Sequence, residues 1–95
     1  MTPLHQLIRA DVDAALGAVL SEERKRMELA PRSLAARAEI QVSSVRAFEC
    51  GRRQPNFETF ITLAWCLDQD PREVFDKVLR HMGMPPGSRM VINKR

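Results

Sequence analysis

Between Gln41 and Gln54 the chain places two serines, Ser43 and Ser44, and three arginines, Arg46, Arg52 and Arg53, with Glu49 as the one acid among them. Hydroxyls, amides and guanidinium groups so spaced supply donors and acceptors for base edges and phosphate oxygens, and they lack the nucleophile, acid and base that a catalytic pocket needs. The remaining reactive side chains are scattered. Cys50 and Cys66 follow no metal-ligand spacing, and His5 and His81 sit at opposite ends of the chain, so reduced thiols behaving as small hydrophobes are expected rather than a disulfide or a metal site. Single serines and aspartates elsewhere have simpler roles as caps and turn residues. The chain is therefore read as neither an enzyme nor a cofactor or metal protein.

The elements that position these residues can be read from apolar spacing and helix punctuation. Thr2-Pro3 suits a helix start, and Leu4, Leu7, Ile8, Val12, Ala15, Leu16, Val19, Leu20 and Met27 recur at three- and four-residue steps. Gly17 and the Ser21-Glu22-Glu23-Arg24 run leave one long helix or two consecutive ones open. Pro31 starts the next helix, with Leu34, Ala35 and Ala38 on its inner face, and Ile40 falls in a tight turn. A following helix from about Val42 to Cys50 turns Val45 and Phe48 inward and Ser43, Arg46 and Ala47 outward, and Gly51 ends it where a left-handed residue is commonly required. Asn56 caps a helix with inner face Phe57, Phe60, Ile61, Ala64 and Leu67. Asp70-Pro71-Arg72-Glu73 is a capping box opening a last helix striped with Val74, Phe75, Val78 and Leu79. Two short helices joined by a tight turn, the second small and polar at its start and followed by a basic loop, have the layout of a helix-turn-helix DNA reader.

Composition and charge agree with this layout. The 95 residues suffice for one helical core, and Tyr is absent. The net charge is only +3, but it is unevenly spread. Residues 1–23 carry one Arg against four acids, residues 24–53 carry eight Lys or Arg against three acids, and residues 54–95 carry six against five. A basic excess confined to the helix-turn-helix segment is what phosphate neutralisation requires. The longest apolar run, Leu63 to Leu67, is far too short to span a bilayer and no charged-then-apolar leader opens the chain, so a cytoplasmic location is expected.

Leu16-Gly17, Leu20, Arg24, Leu34-Ala35, Ala38, Val45, Glu49 through Pro55, Thr59, Leu63-Ala64 and Asp70 through Phe75 together resemble the phage-repressor (lambda repressor/Cro-like, XRE) helix-turn-helix family over about residues 16–75. The resemblance implies an all-α, five-helix DNA-binding domain whose third helix enters the major groove, usually as a two-fold dimer. Here the domain would take residues 1–82, including an N-terminal helical extension, with residues 83–95 as a short tail that forms a strand or stays disordered. Val42, Ser43 and Ala47 match base-facing positions, and Arg46 lies on the same side. Arg32, Gln41, Ser44, Arg52 and Arg53 are the expected phosphate contacts, and Arg24 and Glu49 match a pair bridging the first and third helices. The chain departs from the family pattern at four places. Pro31 stands for an anchoring glutamine, Ala30 for a Ser or Thr cap, Glu39 for a turn glycine, and Glu23 for an apolar residue.

The expected partner is a double-stranded DNA operator, and the expected species is a homodimer. Its seam is expected along Leu4, Leu7, Ile8 and Val12, with the Met90-Val91-Ile92 tail as the other candidate. The rival reading is an antitoxin or anti-activator on the same fold, whose partner is a toxin, an activator or RNA polymerase.

Overall fold

A computed structural model describes residues 4–83 as five helices: α1 (Leu4–Arg26), α2 (Pro31–Ala38), α3 (Val42–Glu49), α4 (Phe57–Cys66) and α5 (Pro71–His81), with no strand among the described residues. The Thr2-Pro3 start and the Met90 to Ile92 tail lie outside the described residues, as does the side chain of Leu7.

Helix α1 runs through Gly17 and Ser21 without a break, so the first stretch is one helix of 23 residues. Gly17 is explained by packing. A Cβ there would lie 2.6 Å from the carbonyl oxygens of both Phe48 and Glu49, so the missing side chain is what lets α1 touch the end of α3. The core draws on every helix: Leu16, Val19 and Leu20 of α1, Leu34 and Ala35 of α2, Val45 and Phe48 of α3, Leu63 and Ala64 of α4, and Val74 and Val78 of α5, together with Leu67 just past α4. Each buried Leu, Val or Phe among them stabilises the fold by roughly 1.5–3 kcal/mol relative to exposure. Toward the start of α1, Leu4 and Ile8 are exposed and Val12 is half-buried.

Four helices end in the same way. After α1, α2, α3 and α4 a residue with positive φ (Glu28, Glu39, Gly51 and Asp68) is followed by an amide that donates five residues back: Leu29 to Arg24, Ile40 to Ala35, Arg52 to Ala47, and Gln69 to Ala64. Three of these left-handed positions are acidic rather than glycine, with φ of 57°, 57° and 54°. Helix starts fall into two kinds. Asn56 Oδ1 accepts from the Thr59 amide and Asp70 Oδ1 from the Arg72 amide, whereas Ala30 before α2 and Gln41 before α3 make no side-chain cap.

Two expectations about the last helices need correcting. Phe57 and Phe75, assigned to inner faces by spacing, are exposed, because Leu63, Ala64 and Leu67 already fill the buried side of α4 and its exit, and Val74 and Val78 that of α5. The Asp70 box is not reciprocal either: the Asp70 carboxylate pairs with the Arg72 guanidinium at 2.9 Å, and among the described residues Glu73 makes no return bond.

Candidate nucleic-acid interface

Helix α3 packs on α1 and α2, with Val45 and Phe48 buried beneath it. Its opposite side presents Ser43 and Arg46, both exposed, and the half-buried Val42, with exposed Gln41 one residue before the helix. The Gln41 side chain bends back toward the Ser43 hydroxyl at 3.4 Å. Ala47 is a correction. Spacing turned it outward, but it is 6% exposed, because the chain leaving α3 folds over it and the Arg52 and Arg53 amides both donate to its carbonyl. Its methyl group therefore does not project with Ser43 and Arg46.

That exit loop is held in place from both sides. The Arg53 guanidinium stacks over the Phe48 ring, 5.3 Å from its centre, and reaches Ser44 Oγ at 3.4 Å. Arg52 Nε donates to Cys50 Sγ at 3.0 Å. Gln54 Nε2 donates to Asp13 Oδ1 on α1 at 2.7 Å, which ties the loop to the first helix. The Asp13 and Phe48 contacts carry no signal in the sequence pattern, since each joins residues that no local rule relates.

Behind the exposed face, Arg24 Nε and Nη2 donate to the two Glu49 carboxylate oxygens at 2.7 and 2.9 Å, and Nη1 donates to the Leu29 carbonyl at 2.8 Å. The two side chains are 11% and 12% exposed, so this forked pair sits largely out of water and fixes α3 to α1 and to the turn before α2. The hydrogen bonds that Glu49 accepts from it hold the Arg24 guanidinium in its charged form more firmly than usual.

Away from this face most cations are paired, with Arg9, Lys25 and Arg37 as the exceptions among the described residues. Arg24, Arg26, Arg72, Lys77 and Arg80 each meet a carboxylate. Among the described residues, Arg32 on α2, Arg46 on α3, and Arg52 and Arg53 beyond it meet none, and all four are exposed. Four guanidinium groups left without internal anions, beside exposed hydroxyl and amide groups on one short helix, can neutralise phosphates and reach base edges together.

No family model and no curated protein sequence matches the chain. Solved structures do. The clp gene regulator ClgR from Corynebacterium glutamicum has a TM-score of 0.73 at 22% identity, over 76% of this chain and 77% of that one. A second structure of that regulator gives 0.71 at 22% identity, over 75% and 91%. The restriction-modification controller protein C.AhdI from Aeromonas hydrophila has a TM-score of 0.65 at 33% identity, over 70% of this chain and 98% of that one. The likeness to ClgR establishes the fold; the higher identity to the controller protein extends over nearly that protein's whole length.

Proposed function

The chain belongs to the lambda-repressor-like (XRE) helix-turn-helix family, and from that premise we propose that it is a transcriptional regulator that binds double-stranded DNA sequence-specifically as a two-fold dimer, α3 lying in the major groove. The observation that carries this reading is the face described above, where Ser43 and Arg46 project from a helix tied to α1 by the Arg24–Glu49 pair, and where Arg32, Arg46, Arg52 and Arg53 meet no carboxylate. Ser43 hydrogen-bonds a base edge, Arg46 takes a guanine edge, and Val42 offers an apolar surface to a thymine methyl. Arg32, Gln41, Ser44, Arg52 and Arg53 contact phosphates and set the register. No helix among the described residues is long and apolar enough to cross a membrane, which suits a protein that meets DNA in the cytoplasm.

Selection of bound duplexes from a random pool tests this directly. A consensus with two related half-sites about one helical turn apart is expected, together with binding that weakens linearly in log salt. Recovery of no consensus at low salt would sink the reading. The exposed Leu4 and Ile8 on α1 favour a second reading, in which the same fold acts as an antitoxin or anti-activator through a protein partner. Co-purification with a neighbouring gene's product, with no selected DNA, is the outcome that reading requires.

A further inference from the structure

Among the described residues the buried core takes in α1 only from Ala15 onward, yet the helix begins at Leu4. Leu4, Ile8, Asp11 and Ala15 follow one another at steps of four, three and four residues, which places them on one face of the helix. At Ala15 that face is covered, whereas Leu4 is 71% and Ile8 48% exposed. The change falls at a groove of about 310 Å³ lined by Asp11, Ala14, Ala15, His81 and Met82, where the end of α5 lies against α1. Lys77 meets Glu23, and Met82, farther along the same helix, lies with Asp11 and Ala15. Helix α5 thus runs toward the start of α1 and, at Gly83, leaves the chain beside the uncovered end of this face. A helix owes most of its stability to packing of its apolar side, so an uncovered row of this kind calls for an occupant.

We propose that the chain's own last segment, residues 84–95, docks on this face, with Met90, Val91 and Ile92 against Leu4 and Ile8. Reach supports that occupant. Leu4 is seven residues from Asp11, about 10 Å along the helix. Met90 is seven residues beyond Gly83, about 23 Å of extended chain, and the Pro85-Pro86 pair favours an extended path. Charge supports it too. The segment carries Arg89, Lys94 and Arg95 and no acidic side chain, whereas residues 1–23 carry Asp11, Asp13, Glu22 and Glu23 against Arg9. Of those acids Asp11 stands exposed in the groove itself, and no Lys or Arg among the described residues meets its carboxylate. An apolar triplet flanked by basic side chains therefore complements an apolar row that carries an acid. A second copy fits less well. Leu4 and Ile8 present far less than the roughly 800 Å² that each partner gives a stable interface, whereas a tethered segment docks at high effective concentration and needs less. Docking of the segment does not depend on DNA binding, and it takes the α1 row away from the protein partner of the second reading.

The test is nuclear magnetic resonance of the full chain without DNA. Methyl–methyl Overhauser contacts are expected between Leu4 or Ile8 and Val91 or Ile92, and a mixture of differently labelled chains is expected to show none between chains. In Val91→Asp/Ile92→Asp, hydrogen exchange of the α1 amides from Ile8 to Val12 is expected to speed up about tenfold or more, while exchange from Val19 to Arg24 stays as in the wild type. Contacts found only between chains make a second copy the occupant and overturn the proposal. So does the absence of any such contact, or α1 exchange unchanged in the double variant. Arg89→Gln/Lys94→Gln/Arg95→Gln separates docking from a DNA-binding arm. Its effect is expected on α1 exchange in the absence of DNA; a log-salt slope of DNA binding lowered by about 3, with α1 exchange unchanged, assigns the segment to phosphates and overturns docking. If the double variant loses its helical circular dichroism, the Overhauser contacts of the wild type decide alone.

Discussion

Ser43 and Arg46 stand out because their neighbours are committed elsewhere: Val45 and Phe48 to the core, Glu49 to Arg24, and Ala47 to the loop above it. On the proposed DNA reading, truncating either to Ala removes a base contact without disturbing a core or an ion pair. Each variant should therefore lose about 1–3 kcal/mol of binding to the selected site and relax preference at one base pair, as read by competition titration. Unchanged affinity and preference in both would remove them from the interface. On the same reading Arg52 and Arg53 belong to a different class, since side chains beyond the helix end would meet the DNA backbone. Replacing both with Gln should weaken binding to all sequences alike and lower the log-salt slope by about 2. A loss confined to one base position would contradict that assignment. Arg53 has a second tie, its stacking on Phe48, which spacing could not reveal because it depends on how the chain turns after Gly51.

Among the helices, the crossing of α1 and α3 depends on one atom's absence. Gly17→Ala would drive a methyl group into two backbone carbonyls that cannot rotate away, so it should destabilise by about 1–3 kcal/mol in urea titration although alanine is the better helix former. Stability equal to or above the wild type would show that the crossing yields. Glu39→Gly should act in the opposite direction. Glu39 holds φ at 57° and puts negative charge at the C-terminal end of α2, so glycine there should stabilise by about 0.5–1 kcal/mol in the same titration. Most of the five-helix order was legible in the sequence, since Pro31, Asn56, Asp70-Pro71 and Gly51 punctuate the chain where the helices begin and end. The outward side of α4 was not. Apolar residues fill most of its circumference, so period alone cannot say which of Phe57, Ile61 and Trp65 faces the core. For Ala47 a helical wheel failed because the covering atoms come from outside the helix.

Across the whole molecule, the first and last helices are joined by a buried carboxylate. Glu23 on α1 is 6% exposed and is held by Lys77 of α5 at 2.9 Å and by Arg26, in a position where the family pattern has an apolar residue. Burial pushes its carboxyl up, but the hydrogen bonds and charges of Lys77 and Arg26 outweigh it and leave it below the ordinary carboxylate value of 4.5. The stabilisation is thus complete above that value and is lost as pH falls through the lower folded value. Glu23→Gln should flatten the acid limb of a stability–pH curve and, since Lys77 and Arg26 are partly in water, cost about 1 kcal/mol near neutrality. An acid limb as steep as the wild type's would place the titrating group elsewhere. The contrast in helix starts also has a consequence for the free protein. Helices α4 and α5 begin with a side-chain acceptor, while α2 and α3 begin without one, which leaves the Arg32, Val42 and Ser43 amides to solvent or an incoming anion. The first turns of the two helices nearest the reading face should therefore open most readily in native-state hydrogen exchange and gain the largest protection once phosphates close over them.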